Sequence, residues 1–411
     1  MTQKRIAVYD PEFRELGHNT WFNIHVVRML SSLFKEVYYF DSNKIVEKNF
    51  TDIPGNVKIV QLPSHLINIG EVTVNNNGKL GRKAYKKIYK ILNLIKSKFT
   101  ANPAGEGSNF YNDLWEFIDK YHCNLLFLTA EGTRYRKYLY TSFPKIPYIL
   151  LIHVVWSVLK TSYNKSIGGN VRDFLERAEC IFVMEDFLIP PLAGSNKNIF
   201  RFPLYVYEDD HTIPRKTDIL PLKIGTVGVI NEGRNVDFIL ETLISYSEET
   251  LEYYLYGKPL GKVGATVINI ANRNIFPANV KLFTHFEYLD EEEYDSIVKK
   301  CDFVIIAYDE KRKYQASGGM YRFINNFTPL IVPRIEPFVT IEKSYENIFL
   351  FYDDLSTGSL IDLLGVLAKK GKEYKDYKRK AAIAMEKYIA FNKRRKQVEH
   401  LGRILETLAA N

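Results

Sequence analysis

The sequence predicts an α/β protein built from two tandem Rossmann-like, doubly wound domains that face a central crevice. Three observations predict this class. The chain has 411 residues, more than one hydrophobic core usually spans. Apolar strand-like runs alternate with helix-like segments, which is the order that a parallel sheet requires. The alternation begins a second time at residue 222, after a polar, proline-containing stretch over 208–221 that is typical of a linker.

The first half of the chain carries the apolar runs of one sheet. Several of them, such as Tyr148–Ile152, are apolar throughout, as expected for strands that are covered on both faces. A helix is predicted after the first strand, with Asn19 or Thr20 as its N-cap, and another over 170–179. The predicted strands cover residues 5–9, 36–40, 57–62, 124–128, 147–153 and 180–184.

The second half repeats this order of elements. Its predicted strands cover residues 222–228, 252–256, 280–284, 303–307 and 328–333, with helices near 236–247 and 291–300 and between the last two strands. We therefore predict a first domain over 1–208, a second domain over 222–370, and a helical C-terminal segment over 371–411 that packs back on the first domain.

The net charge of +8 is less informative than its distribution. Between Glu71 and Glu106 there is no acidic residue, whereas lysines accumulate and apolar residues recur at helical spacing over 79–100. This segment predicts a basic amphipathic helix, which either packs on its own domain or docks on an anionic membrane surface. Nucleic-acid binding is not predicted, because the basic residues form no recognisable module.

The expected location is the cytoplasm. No apolar run approaches the ~20 residues needed to span a bilayer, and Met1 leads into the first strand without room for a secretion signal. If residues 79–100 dock on a membrane, the protein would be peripheral at the inner face.

The cysteines predict structural thiols. Cys123, Cys180 and Cys301 each precede an apolar run, and their spacing is not that of metal ligands. We expect all of them to be buried, and we predict neither a metal site nor a cofactor.

Two glycine-containing loops predict an anion site in the second domain. One follows the strand that begins at residue 222 and contains Gly228 and Arg234, whose guanidinium could grip a diphosphate bidentately. The other, Ser317-Gly318-Gly319, starts a helix, where backbone N–H groups and the helix dipole favour phosphate. Glycine in a tight strand-to-helix turn also has a purely structural explanation, which the sequence leaves open.

A family resemblance rests on the order of particular residues in the second half. They are Gly228 and Arg234 after the first strand, Tyr256-Gly257 after the second, Val280–Phe283 before an acidic helix, and Cys301–Val304 leading to Pro329–Ile331. This arrangement resembles the nucleotide-sugar-dependent glycosyltransferases of the GT-B fold, and most of all the retaining, family-four type.

The resemblance implies an activity and a set of site residues. The activity is metal-independent transfer of a sugar from a UDP- or GDP-linked donor to a glycan or lipid-linked acceptor, in the synthesis of surface polysaccharide or a glycoconjugate. The implied residues are His153 and Glu310 for catalysis, Gly228, Arg234, Ser317, Gly318, Gly319 and Arg322 for the donor phosphate and nucleotide, and Gly17 and His18 for the acceptor.

The sequence departs from the family at one motif. Tyr314 and Arg322 stand where the family commonly has a spaced pair of glutamates, and Glu310 is close enough to substitute for the first. One alternative is therefore a GT-B pseudoenzyme that serves as a binding subunit. Another is a nucleotide-sugar epimerase, although that chemistry needs several acid/base groups in the crevice.

Overall fold

The computed structural model describes residues 2–10, 18–41, 53–63, 66, 103–129, 139–140, 142–152, 155–162, 168–203, 207, 220–273, 275–309, 318–353 and 355–410. By its internal contacts the chain divides into two compact units. The first unit comprises residues 1–152, 157–182 and 192–200, and the second comprises residues 153–156, 183–191 and 201–411.

The strands form two sheets, and the first six strands of the first sheet follow the same order as the six strands of the second. The first sheet has seven strands in the order β3-β2-β1-β4-β5-β6-β7, and the second has six in the order β10-β9-β8-β11-β12-β13. The strands are β1 (Thr2–Tyr9), β2 (Phe34–Asp41), β3 (Val57–Gln61), β4 (Leu125–Leu128), β5 (Tyr148–Ile152), β6 (Cys180–Val183), β7 (Ile199–Arg201), β8 (Leu222–Val227), β9 (Leu251–Tyr256), β10 (Val280–His285), β11 (Phe303–Ile305), β12 (Leu330–Pro333) and β13 (Phe349–Tyr352).

Helices connect the strands, as parallel pairing demands. They are α1 (His18–Ser31), α2 (Pro103–Asp119), α3 (Val155–Ser162), α4 (Gly168–Arg177), α5 (Val236–Ile244), α6 (Gly261–Ala271), α7 (Glu291–Lys300), α8 (Gly318–Asn325), α9 (Phe338–Ser344), α10 (Thr357–Ala368), α11 (Lys372–Phe391) and α12 (Arg394–Ala410). Every adjacent pair of strands in the second sheet is parallel. The predicted α/β class with doubly wound parallel sheets is confirmed.

The second sheet determines where a ligand can bind. Its order reverses between β8 and β11, which lie side by side with Phe303 opposite Ile224. Open α/β sheets bind ligands at such a reversal, beyond the carboxyl ends of the two strands, because the following helices cover opposite faces and leave a crevice between them. Apolar residues from β8, β9 and α5, including Leu222, Tyr253 and Leu240, are fully buried beneath this edge.

Most predicted elements lie within a few residues of the observed ones, and the differences are local. Helix α1 begins at His18, before the predicted N-cap. The elements that were not predicted are helices α2, α3, α6, α9 and α10 and strands β7 and β13. Helix α6 carries Gly261 and Gly264, which lower helix propensity, and Gly264 lets the helix approach Pro259 too closely for a side chain. The predicted linker, apart from residues 220–221, and the predicted basic helix over 79–100 lie outside the described residues.

The cysteines form no disulfide with one another and are buried, as the sequence predicts. Burial raises the pKa of the Cys123 thiol to about 11, and burial also raises the pKa of Cys180. In the part of the chain that the structure describes, no helix is long and apolar enough to cross a membrane.

Candidate functional site

A concavity lies at the reversal of the second sheet, within the second unit. It is formed by the ends of β8 and β11, by the loop after β8, and by the first turns of α8. Its lining residues are Thr226, Val227, Arg234, Ile305, Ile306, Ala307, Tyr308, Gly319 and Phe323. The structure therefore brings Arg234 and Gly319, from the two glycine loops, to one place.

The loop after β8 is held by backbone pairing with the loop after β9. The Gly228 N–H donates to Tyr256 O at 2.9 Å, and the Ile230 N–H donates to Lys258 O at 3.0 Å. Gly228 has φ +111° and Gly257 has φ +149°, and a Cβ built on Gly257 would lie 1.8 Å from Gly228 O. Both glycines are thus required by the local backbone, independently of any ligand.

Asn235 fixes the end of the same loop. It adopts a left-handed conformation with φ 43° immediately before α5, and its Nδ2 donates to Ala307 O, beyond β11, at 2.8 Å. Asparagine tolerates this backbone region better than most residues do. The contact ties the β8 loop to the neighbouring strand and sets the direction of the preceding residue, Arg234.

Arg234 presents a hydrogen-bond donor at the concavity. Its Nε is buried and has no hydrogen-bond partner among the described residues. The guanidinium carbon lies 5.9 Å from the centroid of the Tyr308 ring, and Nη1 would lie 3.2 Å from a Cβ on Gly228. Leaving a buried donor without an acceptor costs about 1–3 kcal/mol, more for a charged group. An anionic ligand at this position would remove that cost.

The start of α8 forms the other side of the concavity. A Cβ on Gly319 would lie 3.5 Å from Phe323 Cε2 and 3.5 Å from Tyr294 Oη. The position thus has room for a methyl group, but that group would project toward the tyrosine hydroxyl. Because the first N–H groups of a helix lack intrahelical acceptors, Gly318 and Gly319 offer backbone donors here.

Arg322 is not among the residues that line the concavity. Its Nε donates to Asp295 Oδ1 at 2.9 Å, and its guanidinium carbon lies 4.4 Å from the centroid of the Tyr294 ring. These contacts hold the side chain against α7. Direct contact of Arg322 with phosphate or ribose stays a prediction.

The other predicted site residues are outside what the structure describes. His153, Glu310, Ser317 and Gly17 lie outside the described residues, and so does the side chain of His18, the first residue of α1. Among the described residues, no group of His, Cys, Asp and Glu side chains is arranged to hold a metal ion.

Sequence reasoning missed Tyr294, which lies on α7 between the two glycine loops. The capping box formed by Asp290 and Glu293 defines the start of this helix and therefore the position of Tyr294 in its first turn. Burial raises the pKa of Tyr294, while the nearby charges of Arg234 and Arg322 act to lower it. An aromatic residue one turn after a recognisable cap was the available signal.

The first unit has a buried polar cluster at its own reversal, where β1 and β4 lie side by side. Asn23 Nδ2 donates to Asp10 Oδ2 at 2.6 Å and lies 3.3 Å from Tyr39 Oη. Burial, followed by the carboxylates of Asp10 and Asp41, raises the pKa of Tyr39 well above its usual value. In the sequence, the predicted acceptor residues Gly17 and His18 follow Asp10, the last described residue before α1.

The fold is shared by solved structures of glycosyltransferases. The chain is similar to sucrose-phosphate synthase from Thermosynechococcus elongatus, with a TM-score of 0.64, 11% identity, and 99% of each chain covered. It is similar to HepE of Anabaena in complex with UDP and glucose, with a TM-score of 0.66, 8% identity, and coverage of 98% of this chain and 100% of that one. A glycosyltransferase from Rickettsia africae ESF-5 matches with a TM-score of 0.63, 12% identity and 100% coverage of both chains.

These comparisons define the fold of the protein. No family model and no curated protein matches the chain. The structural likeness extends over nearly the whole chain at low identity, and it confirms the predicted GT-B glycosyltransferase fold.

Proposed function

We propose that the protein is a glycosyltransferase that takes a nucleotide sugar as donor and binds it at the concavity of the second unit. The observation that carries the proposal is the position of Arg234, which lines the same concavity as Gly319 at the start of α8 and whose buried Nε has no hydrogen-bond partner among the described residues. A guanidinium and a helix N-terminus that converge at the reversal of a parallel sheet are suited to a diphosphate.

The chemistry follows from the charge that develops during the reaction. Breaking the bond between sugar and diphosphate leaves negative charge on the departing nucleotide. Fixed donors at that position stabilise the charge without having to reorganise during the reaction. Arg234 and the backbone N–H groups of Gly318 and Gly319 would supply this stabilisation, so we propose that a bound metal is not required.

The ligands of similar proteins suggest the first donors to test. HepE of Anabaena has been solved in complexes with UDP and with UDP-glucose. UDP-linked sugars are accordingly the first choice, and GDP-linked sugars are the second.

The remaining parts of the proposal rest on the family resemblance. We propose that residues 1–208 bind a glycan or lipid-linked acceptor through Gly17 and His18, and that residues 222–370 bind the donor. We propose His153 and Glu310 as the catalytic residues of a retaining transfer in the synthesis of surface polysaccharide or glycoconjugate. A cytoplasmic protein that docks on the inner membrane face through residues 79–100 would meet a lipid-linked acceptor there.

A thermal-shift screen tests donor binding. A ligand that binds only the folded state stabilises it by about 2.7 kcal/mol at a concentration of 100 Kd. We expect UDP or GDP, and a sugar derivative of the same nucleotide, to raise the melting temperature. On incubation with the protein, the bound sugar nucleotide should then release nucleoside diphosphate by transfer of its sugar to water. The absence of a shift with every nucleoside diphosphate would contradict the proposal.

Gly319→Ala should weaken nucleotide binding without loss of stability. The added methyl makes only ordinary contacts, at 3.5 Å or more, and alanine favours a helix by ~0.5–1 kcal/mol over glycine. However, the methyl would project into the space where phosphate must approach Arg234. We expect nucleoside diphosphate to bind ~10-fold more weakly, a loss of ~1.4 kcal/mol, as measured by calorimetry.

Gly358→Ala is the matched control for this change. Gly358 is also the second residue of its helix, α10, and a Cβ there would have only Ser356 Oγ, at 3.9 Å, within contact distance. The affinity of the Gly358→Ala variant for nucleoside diphosphate should equal that of the unmodified protein. Equal affinity for all three proteins would show that Gly319 does not line the nucleotide site.

A binding subunit without catalysis is the second candidate. The observation that favours it is the ion pair of Arg322 with Asp295, because Arg322 stands where the family has a glutamate. Nucleotide-sugar binding without any release of nucleoside diphosphate would support this alternative. An epimerase has less support, since none of the described residues that line the concavity is Asp, Glu or His.

A further inference from the structure

We propose that the hydroxyl of Tyr294 is a ligand contact of the donor site and donates a hydrogen bond to the diphosphate of the bound nucleotide sugar. This inference rests on the proposed function and deepens it, because it adds a binding residue from α7, an element that neither glycine loop contains.

Two distances place the hydroxyl of Tyr294 close to both glycine loops. Tyr294 Oη would lie 3.5 Å from a Cβ on Gly319 and 3.9 Å from a Cβ on Gly228. These glycines belong to the two loops that meet at the concavity, and the Arg234 Nη1 would lie 3.2 Å from the same Cβ on Gly228. The hydroxyl and the guanidinium therefore reach the same small region from different elements.

The ring of Tyr294 packs against two consecutive residues of α8, Arg322 and Phe323. The Phe323 ring stacks with it at a centroid distance of 6.0 Å and an interplanar angle of 14°. The Arg322 guanidinium lies 4.4 Å from its centroid and is itself fixed by Asp295. A cation over an aromatic face is attracted to the ring, so this pair stabilises the ring orientation. A polar group preorganised in this way binds a ligand without an ordering cost.

The hydroxyl is available as a hydrogen-bond donor. Within the described part of the chain it makes no hydrogen bond. Burial raises the pKa of Tyr294, although the charges of Arg234 and Arg322 act to lower it, so the hydroxyl keeps its proton at neutral pH. A protonated phenol beside a guanidinium suits an anionic oxygen that accepts from both.

A free tyrosine hydroxyl does not by itself indicate a ligand. The hydroxyls of Tyr246 and Tyr352 are buried without a hydrogen-bond partner among the described residues, and neither is among the atoms nearest to a Cβ on Gly228 or Gly319. Tyr294 differs because its hydroxyl lies between the two glycine loops and beside Arg234. The proposed role of Tyr294 therefore rests on the position of its hydroxyl and not on the lack of a hydrogen-bond partner.

Calorimetric titration of Tyr294→Phe with UDP and GDP tests the inference. The substitution keeps the ring that Arg322 and Phe323 contact, so the melting temperature without ligand should stay within ~2 °C of the unmodified protein's. We expect the nucleoside diphosphate that binds the unmodified protein to bind the variant ~10-fold more weakly, because hydrogen bonds to charged groups are strong. Tyr246→Phe, which removes a buried hydroxyl elsewhere in the same unit, should leave the affinity unchanged.

The outcomes separate this inference from the proposed function. If the unmodified protein binds neither nucleotide, the proposed donor site is wrong. If it binds and Tyr294→Phe binds equally well, the donor site stands and the role of Tyr294 is refuted. A titration with the nucleoside that lacks phosphate tests the contact itself: an equal loss of affinity for nucleoside and diphosphate would overturn the assignment to the diphosphate.

Discussion

Replacing Arg234 with alanine should lower the turnover of nucleotide sugar by about 100- to 1,000-fold, the usual effect of removing a donor that stabilises developing negative charge. Arg234 lines the concavity, and its buried Nε has no hydrogen-bond partner among the described residues. The substitution removes a positive charge at the position where the departing diphosphate would gain negative charge. The measurement is the rate of nucleoside diphosphate release from the donor that the thermal-shift screen identifies.

Two further variants test whether the loss of turnover is specific to the guanidinium of Arg234. Arg379→Ala removes a guanidinium that is paired with Asp376 on the exposed surface of α11, and its turnover should match that of the unmodified protein. Arg234→Lys keeps the charge but loses the bidentate geometry, so its turnover should fall between those of the unmodified protein and Arg234→Ala. Unchanged turnover in Arg234→Ala would show that the phosphate assignment is wrong.

Replacing Glu185 with alanine should destabilise the second unit by about 3–5 kcal/mol, the typical cost of breaking a buried ion pair from one side. Glu185 is only 5% exposed and accepts hydrogen bonds from the hydroxyls of Tyr321 and Tyr388. Its Oε2 also lies 3.3 Å from Arg201 Nε, which is nearly as buried. Removing the carboxylate would leave the Arg201 charge without a counter-ion, and both tyrosine hydroxyls would lose a shared acceptor.

The buried cluster around Glu185 also bears on the donor site. Tyr321 belongs to α8, one turn after Gly318, and Tyr388 belongs to α11. The acceptor shared by these two tyrosines therefore fixes the helix whose start lines the concavity. Glu185→Gln keeps an acceptor but removes the charge, so its loss of stability should be smaller than that of the alanine variant.

Urea denaturation followed by circular dichroism measures these losses as shifts of the transition midpoint. Glu399→Ala is the control, since Glu399 pairs with Arg395 on an exposed face of α12 at 3.2 Å. An exposed pair of this kind contributes under about 1 kcal/mol. If Glu185→Ala and Glu399→Ala lowered the midpoint equally, the buried cluster would not stabilise the unit.

Most strands of both sheets could be predicted because they contain short apolar runs bounded by polar residues. Cys180–Val183 and Leu330–Pro333 are buried at every position, and such runs are typical of parallel strands. The acidic helix α7 was predicted near its observed bounds, and the structure shows that a capping box formed by Asp290 and Glu293 defines its start. Gly228 and Gly257 were identifiable because a tight turn needs glycine.

The contacts around the concavity could not be predicted, because they join residues that are distant in the sequence. The sequence shows Arg322 as a positive charge near a glycine pair, but in the fold it contacts Asp295 and Tyr294 of α7. Similarly, Glu185 meets Tyr388 across 203 positions of sequence. Such pairs depend on the packing of whole helices, for which local propensity and periodicity carry no signal.

The most direct test of the proposed donor site is calorimetric titration of the unmodified protein and of Arg234→Ala with UDP and GDP. We predict that one of the two nucleotides binds the unmodified protein with a single site per chain. We also predict that Arg234→Ala binds it at least ~10-fold more weakly, as expected for the loss of a charge-assisted hydrogen bond. Failure of both nucleotides to bind, or equal affinity for the two proteins, would contradict a nucleotide-sugar site at this concavity.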